Sequence, residues 1–242
     1  MKRYLIVPDA HFPFVDRKSW ALLLKVGRAF KPYGIIVLGD FIDCYSVSDF
    51  PKSRRMSLDE EILSARDGIA DLESLGATKH HFIAGNHENR LPKHLAKHAP
   101  ELAGLVPSLR SLLGVTAPKW TWTDYHDLLK IGRAYFTHDV GKCGPLAHVS
   151  AANDVGGNTI MGHTHHFGVE YRGNLKGSAR FGSSLGCLAD RAQVDYASKA
   201  RVAAWVHGCG LGYLYPDGDF HLTPTPFIRN RATVEGREIG HR

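Results

Sequence analysis

Residues 35–43 read Ile-Ile-Val-Leu-Gly-Asp-Phe-Ile-Asp, an apolar run that ends in a glycine turn and two aspartates. Such a run is typical of a buried strand that leads into a loop. The pattern occurs five times, and the other four polar turns are Asp9-Ala-His11, Gly85-Asn86-His87-Glu88, His138 and Gly162-His163-Thr164-His165. The repetition predicts Asp, Asn and His side chains at one edge of a sheet. These ligands suit divalent metal ions, and there are enough of them for two.

The first half of the chain alternates predicted strands and helices. We predict strands at about 3–8, 34–38 and 79–84, and helices at about 16–30 and from Ser57 onward, where Ser57 and Glu60 match a capping box. This order implies a parallel sheet with its site residues at the carboxyl ends of the strands. Residues 89–118 are helical in composition but contain several prolines, so we predict a helical insertion near the site.

The second half is predicted to contain shorter strands and one helix. The expected strands are 120–123, 127–137, 158–161, 168–172, 178–183, 201–207, 210–215 and 219–223, and the helix lies at about 145–154. Residues 229–242 are rich in arginine and close to the chain end, which predicts a flexible tail. The expected organisation is therefore a single domain over residues 1–228 followed by that tail.

Taken in order, the motifs D-x-H, G-D-x-x-D, G-N-H-E, a lone His and G-H-T-H resemble those of the calcineurin-like metallophosphoesterases. They span residues 9–165, and the later Gly186-Cys187-Leu188 and Trp205 are similar to the C-terminal strands of small bacterial and phage members. The resemblance implies an α/β fold, a four-layer αββα sandwich of two mixed β-sheets flanked by helices. It also implies a metal-dependent phosphoric ester hydrolase.

The resemblance further assigns the metal ligands. One ion would be held by Asp9, His11, Asp40 and His165, and the other by Asp40, Asn86, His138 and His163. Asp40 would then bridge the two ions, since its two oxygens can bind separate cations. We expect two divalent ions, Mn²⁺ first, with Fe, Zn, Ni and Mg as alternatives. A hydroxide activated by the metals would attack the phosphorus.

Three further residues of the motifs are expected to assist. His87 matches the family's catalytic histidine, which would protonate the leaving oxygen or stabilise the transition state. Asp43 and Glu88 would orient imidazoles, although either could instead cap a turn.

Asp139 stands where the family often has Gly, and His126 is a nearby competitor for the role of His138. The polar setting of His126 favours His138 as the ligand.

The substrate class is predicted from two stretches, 44–55 and 89–126, in which basic residues alternate with aromatic ones. Such stretches can follow a phosphate backbone and stack on bases. The candidate substrate-binding residues are Arg54, Arg55, Arg90 and Lys93. The leading interpretation is a phosphodiesterase or nuclease whose substrates are nucleotide phosphodiesters, DNA or RNA. A phosphomonoesterase of the same fold and an inactive binding scaffold are the alternatives, and the intact ligand set argues against the scaffold.

Composition limits the other possibilities. The chain has 242 residues, a net charge of +6 and 43% hydrophobic residues, which is ordinary for a globular domain. No apolar run approaches the length of a membrane span, so no membrane partner is expected. The four cysteines are widely spaced and form no C-x-x-C pair, which favours a reducing compartment. We expect a cytoplasmic protein, acting in the host cytoplasm if a phage encodes it.

Overall fold

Two mixed β-sheets packed face to face form the centre of the protein. The computed structural model describes residues 1–173, 175, 178–194 and 199–240. The strands of the first sheet are β1 (Lys2–Val7), β2 (Gly34–Val37), β3 (Lys79–Ile83), β4 (Trp120–Thr123), β10 (Gly208–Leu214) and β11 (Phe220–Pro226). Those of the second are β5 (Leu129–Ile131), β6 (Ala134–Thr137), β7 (Asn158–Met161), β8 (Phe167–Gly173) and β9 (Ala179–Leu185).

The strand order places parallel strands at one end of the first sheet and in the middle of the second. The first sheet runs β11-β10-β1-β2-β3-β4, and the pairs from β1 to β4 are parallel. The second runs β5-β6-β7-β9-β8, and its two central pairs, β6 with β7 and β7 with β9, are parallel. The carboxyl ends of parallel strands lie at the same edge of a sheet. Each sheet therefore gathers its polar turns at one edge.

Helices flank the two sheets. They are α1 (Arg17–Phe30), α2 (Leu58–Glu73), α3 (Arg90–His98), α4 (Leu109–Leu113), α5 (Ala147–Val155) and α6 (Lys199–Ala203), with short 3-10 helices at Tyr45–Val47, Pro100–Leu102 and Arg191–Gln193. The Asp16 side chain caps α1 by accepting a hydrogen bond from the Ser19 amide at 2.7 Å. The predicted capping box of Ser57 and Glu60 begins α2. The region 89–118 contains α3 and α4.

Side-chain alternation along β1 divides the core into two layers. Leu5 and Val7 pack with residues of α1 and α2, whereas Ile6 packs with residues of the second sheet such as Phe136 and Ile160. A strand presents successive side chains to opposite faces, so β1 can serve both layers. On the far side, Ala151 of α5 packs against the second sheet. The αββα sandwich predicted from the sequence is confirmed.

Two predicted strands differ in the structure. The segment 201–207 was expected to be a strand, but α6 ends at Ala203 and Val202 and Trp205 pack together with Cys187. Burial three residues apart follows the helical period rather than the alternation of a strand. The expected strand 127–137 is split into β5 and β6, which pair antiparallel across Gly132, a glycine with φ of 58°. Positive φ favours glycine at this tight turn.

The expected flexible tail is corrected for most of its length. Arg231–Val234 (β12) and Arg237–Gly240 (β13) form an antiparallel hairpin that packs on α1. Ala232 and Val234 alternate with polar residues and are buried in the layer that contains α1. The alternation of the two buried apolar residues with polar ones makes this segment a strand, and the surrounding charged side chains remain at the surface. Residues 241–242 lie outside the described residues.

None of the helices in the described part of the chain combines the length and the apolar character needed to cross a bilayer.

The hairpin yields a prediction about stability. Val234→Ala should lower the free energy of unfolding by about 2 kcal/mol, because two buried methyl groups are lost and the space is only partly refilled. Thr233→Ala is the matched control, since this neighbour on the same strand is exposed. Urea unfolding of both variants measures the difference. Equal stability of Val234→Ala and the unaltered protein would contradict packing of the hairpin on α1.

Candidate metal centre

The polar turns of the five motifs meet where the edges of the two sheets face each other. Asp9 and His11 follow β1, Asp40 follows β2 and Asn86 follows β3. From the second sheet, His138 follows β6, and His163 and His165 follow β7. Three groups of side chains have ligand atoms within 4.8 Å of one another: Asp9 with His11 and His165, His11 with Asp40 and His87, and Asp40 with His138 and His163.

The first cluster, Asp9, His11 and His165, is nearly closed to solvent. His165 Nε2 lies 3.1 Å from Asp9 Oδ2 and 3.1 Å from His11 Nε2. When neither of these two facing imidazole nitrogens carries a proton, both lone pairs can be directed to a shared cation. Asp9 Oδ1 is buried and has no hydrogen-bond partner among the described residues. An unpartnered buried carboxylate oxygen is costly unless a cation satisfies it, so the donors of this cluster fit a divalent metal.

The second cluster, Asp40, Asn86, His138 and His163, is arranged around one amide oxygen. Asn86 Oδ1 lies 3.0 Å from His138 Nε2 and 2.9 Å from His163 Nδ1. His138 Nε2 is also 3.3 Å from Asp40 Oδ2. Oxygen and imidazole donors converge on the same point. This donor set likewise fits a divalent metal, and Asp40 also groups with His11, which belongs to the first cluster.

Hydrogen bonds to the Nδ1 atoms fix which nitrogen of two histidines faces the clusters. His11 Nδ1 lies 3.0 Å from Asp43 Oδ2, and His138 Nδ1 lies 2.8 Å from the Leu38 carbonyl oxygen. An acceptor at Nδ1 selects the tautomer with its proton there, which leaves Nε2 as a lone pair. Metal-binding histidines commonly have this arrangement. Asp43 thus orients an imidazole, the first of the two roles considered for it.

The backbone at the centre is held in a rarely adopted conformation. Four of the seven predicted ligands have left-handed φ values: His11 at 55°, Asp40 at 45°, His163 at 69° and His165 at 59°. Non-glycine residues in this region cost about 1–3 kcal/mol each and cluster at functional sites. The close approach also requires glycine, because a Cβ at Gly85 would collide with Asp40 Oδ1 and one at Gly162 with Asp9 Oδ1.

Glu88 holds the backbone of the Asp40 turn. Its carboxylate accepts hydrogen bonds from the amides of Asp40 (2.8 Å), Phe41 (2.8 Å), Ile42 (3.2 Å) and Gly85 (2.7 Å). The structure therefore gives Glu88 the turn-capping role that was the alternative to orienting an imidazole. Burial, followed by the charge of Asp40, raises the pKa of Glu88 to about 7.

His87 is buried between the clusters and is fixed at both ring nitrogens. His87 Nδ1 donates to the Asp43 carbonyl oxygen at 2.9 Å, and Arg90 Nη2 donates to His87 Nε2 at 2.9 Å. Arg90 Nη1 donates to Asp43 Oδ1 at 3.1 Å. Arg90, predicted to bind substrate, thus first orients His87. His87 Nε2 is 3.6 Å from Asp40 Oδ2.

The other predicted substrate-binding residues lie farther from this network. Arg54 donates to the Gln193 carbonyl oxygen at 3.0 Å and lies over the Phe14 ring. Arg55 and Lys93 are exposed. His126, the competitor of His138, is an exposed side chain 3.9 Å from Asp139 and belongs to none of the three ligand groups.

Electrostatics at the centre favour the charged form of Asp40. Burial by itself raises the pKa of Asp40, but the attraction of His138 outweighs it and holds that pKa well below its usual range. Burial lowers the pKa of His138, yet the attraction of Asp40 raises it to about 10. Burial lowers the pKa of His165 to about 4. A protonated His138 balances Asp40 when no other cation does so.

Two aromatic residues near the ligands were not assigned from the sequence. The Trp205 ring lies 4.0 Å from the His165 ring at an interplanar angle of 85°. Tyr125 donates through its hydroxyl to Asp139 Oδ2 at 2.8 Å, so the Asp139 that replaces the usual Gly anchors an aromatic ring. The spacing within a single stretch of chain cannot reveal such contacts, because the partners come from separate elements.

Comparison with known proteins identifies the class. Residues 2–195 match the family model described as calcineurin-like phosphoesterase, so the chain belongs to that family and the resemblance seen in the motifs is confirmed.

Particular relatives are found in two mycobacterial viruses. The chain is 28% identical to the Gene 54 protein of Mycobacterium phage D29, with 97% of each protein covered, and 29% identical to the Gene 54 protein of Mycobacterium phage L5, with 98% of each covered. A solved structure similar to this chain is Yfce, a phosphoesterase from E. coli, at 14% identity and a TM-score of 0.43, covering 92% of this chain and 98% of that one.

The shared position of Asp40 yields a prediction about metal content. In Asp40→Ala, both ions should bind more weakly, because the Asp40 carboxylate lies beside His11 of the first cluster and beside His138 and His163 of the second. Elemental analysis should find fewer ions per chain than in the unaltered protein. The rise in melting temperature on adding Mn²⁺, expected for a ligand that binds only the folded state, should also shrink.

Asp67→Ala, an exposed aspartate on α2, is the matched control and should keep both ions and the thermal shift. Asp40→Asn separates the loss of charge from the loss of shape. Full metal content in both Asp40 variants would contradict a bridging carboxylate.

Proposed function

We propose that this protein is a two-metal phosphodiesterase or nuclease that hydrolyses phosphodiester bonds of nucleic acids or nucleotides. The observation that carries the proposal is the pair of adjacent ligand groups that share the buried Asp40. Family membership supplies the coarser statement, a phosphoesterase fold with a dinuclear centre. Mn²⁺ is the proposed ion, because mixed oxygen and imidazole donors suit borderline divalent metals.

The residues of the centre divide the work of such a reaction. Bound metals supply a lowered water pKa and positive charge beside the phosphate oxygens. The Nε2 atoms of His11 and His138 and the carboxylates of Asp9 and Asp40 would hold the ions. Asp43 and Glu88 keep these ligands in place through the imidazole and the backbone amides described above. Preorganised donors reduce the reorganisation that the transition state requires.

His87 is the proposed catalytic residue. Its ring is fixed by the Asp43 carbonyl and by Arg90, and its Nε2 atom faces the space beside Asp40. With Nε2 accepting from Arg90, the imidazole is neutral and carries its proton on Nδ1. Either role requires a proton on Nε2: as a general acid His87 transfers that proton to the leaving oxygen, whereas in electrostatic stabilisation the proton stays on the ring beside the developing negative charge. The two roles predict different dependence on the leaving group.

The proposed preference for diesters rests on the charge of the substrate and on the aromatic side chains near the centre. A phosphodiester carries one negative charge, whereas a phosphomonoester carries up to two at neutral pH. Arg90 lies beside His87, but its guanidinium is already bonded to Asp43 and His87. It therefore offers little additional neutralisation to a second charge. Trp122 in β4 and Tyr125 just after it have partly exposed rings that could stack on bases, which suits nucleic acids.

The place of action is inferred from the relatives. Both Gene 54 proteins are encoded by phages, which supports the host cytoplasm as the compartment in which this chain acts. The complete set of ligands, gathered and oriented in the structure, argues against an inactive scaffold. The remaining competitor is a phosphomonoesterase of the same fold, and a side-by-side assay separates the two.

The first test compares substrates in the presence of Mn²⁺. Bis(p-nitrophenyl) phosphate should be hydrolysed with a higher kcat/KM than p-nitrophenyl phosphate, and single-stranded or structured DNA should be cut. Cleavage of DNA should fall steeply with salt, because binding to a polymer releases counterions. Hydrolysis of the small diester, which releases none, is the internal control. Salt-insensitive turnover of the monoester without cleavage of DNA or RNA would instead establish the phosphomonoesterase.

The second test concerns His87. His87→Ala should lose about 10²–10⁴-fold in rate, the usual contribution of a general acid, while keeping its metals and its melting temperature. A smaller loss for nitrophenyl esters than for poor leaving groups would assign proton donation to His87. An equal loss for all esters would assign electrostatic stabilisation. His94→Ala on α3 is the control and should keep full activity. Loss of a metal in His87→Ala would make His87 a ligand, in line with its grouping with His11 and Asp40.

A further inference from the structure

A groove opens next to the metal centre, between α3, the segment that leads to α4, and the end of β4. Its volume is about 630 Å³, within the range of small-molecule sites. Its apolar walls are formed by Leu91, Pro92, Leu95, Val106, Leu109 and Trp122. Glu88 and Tyr125 also line it, and both contact the turns of the metal centre. The groove thus borders the turns that carry the predicted metal ligands.

Two aromatic rings of this groove are held in place from behind. Trp122 stacks on Phe82 with ring centroids 4.9 Å apart and an interplanar angle of 7°, and its Nε1 donates to Asp124 Oδ1 at 2.8 Å. Tyr125 is anchored to Asp139 by its hydroxyl. Because these contacts already order both rings, a ligand that packs on them loses little conformational entropy in doing so.

The position of Tyr125 sets the distance from groove to centre. Its ring centroid lies 6.2 Å from that of His138, one of the predicted ligands. A flat group stacked in the groove would therefore lie near a phosphate bound at the centre, so the two could belong to one nucleotide. Asn89, Ser108 and Arg110 add polar groups to the lining, which can meet the edge of a heterocycle.

We propose that this groove is a nucleobase subsite that binds one base of the phosphodiester whose phosphate lies at the metal centre. The inference rests on the proposed function and adds to it the part of the substrate that is recognised. A nucleobase fits because it is flat, has an apolar face and carries polar edges. Stacking on aromatic side chains tolerates any base, so the subsite selects nucleotides over other phosphate esters without fixing a sequence.

The test measures binding, so that it does not depend on turnover. Isothermal titration of the Mn²⁺-loaded protein with thymidine 5′-monophosphate and 3′-monophosphate is compared with titration by 2-deoxyribose 5-phosphate. The sugar phosphate has a hydroxyl group in the place of the base and otherwise matches the 5′-nucleotide. At least one nucleotide should bind about 5- to 100-fold more tightly than the sugar phosphate, the range expected for one stacked base.

Variants that fill the groove should remove this gain. Val106→Trp places a large side chain in the groove, and Ala103→Trp is a second, independent filling variant at an exposed lining position. In both, the nucleotides should bind no better than the sugar phosphate, whose own affinity should be unchanged. Leu105→Trp is the matched control, since Leu105 lies on the same segment, is 79% exposed and is not part of the lining. It should keep the full gain.

Failure of the subsite and failure of the proposed function give different results. Equal binding of nucleotides and sugar phosphate, or an undiminished gain in both filling variants, would overturn the nucleobase subsite even if bis(p-nitrophenyl) phosphate is hydrolysed. Base-dependent binding that the filling variants abolish, in a protein that cleaves no phosphodiester, would uphold the subsite and refute the phosphodiesterase.

Discussion

The rest of the centre depends on the burial of one charged carboxylate, that of Asp40. Its side chain is almost inaccessible to water, and it shares its surroundings with the buried carboxylates of Asp9, Asp43 and Glu88. Burying an ionised group is costly unless cations and hydrogen bonds compensate. Here the His87 amide donates to Asp40 Oδ1 at 2.8 Å, and a protonated His138 supplies positive charge when no metal ion does. Both partners come from loops distant in sequence, so the charge dictates how those loops meet.

The burial of Asp40 explains two backbone features that would otherwise only destabilise the protein. The left-handed backbone at Asp40 is held by the amide bonds to Glu88, and Gly85 is required where a Cβ would collide with the carboxylate. Strained conformations persist only where the surrounding structure determines them. The strained backbone therefore lowers the stability of the folded chain but places the ligand side chains close together. Divalent ions bound to the folded chain would recover part of that stability.

The two sheets and the insertion contribute different parts of the function. The sheets supply the ligands, three turns from the first and two from the second, and so define the chemistry of the centre. The insertion that contains α3 and α4 supplies Arg90, which fixes His87, and most of the apolar wall of the neighbouring groove. Fold alone does not determine substrate. In this protein, substrate choice is expected to depend on the insertion rather than on the sandwich.

The sequence by itself determined the elements whose signals are local. Apolar runs that end in polar turns predicted the strands and identified the candidate ligands. The spacing of Ser57 and Glu60 predicted the start of α2. Only the tertiary structure decided that Glu88 binds the backbone of Asp40, 48 residues away, and that Arg90 orients His87. It also turned residues 199–203 into a helix and most of the expected tail into a hairpin. Strand and turn signals come from neighbouring residues, whereas these contacts depend on which distant surfaces burial brings together.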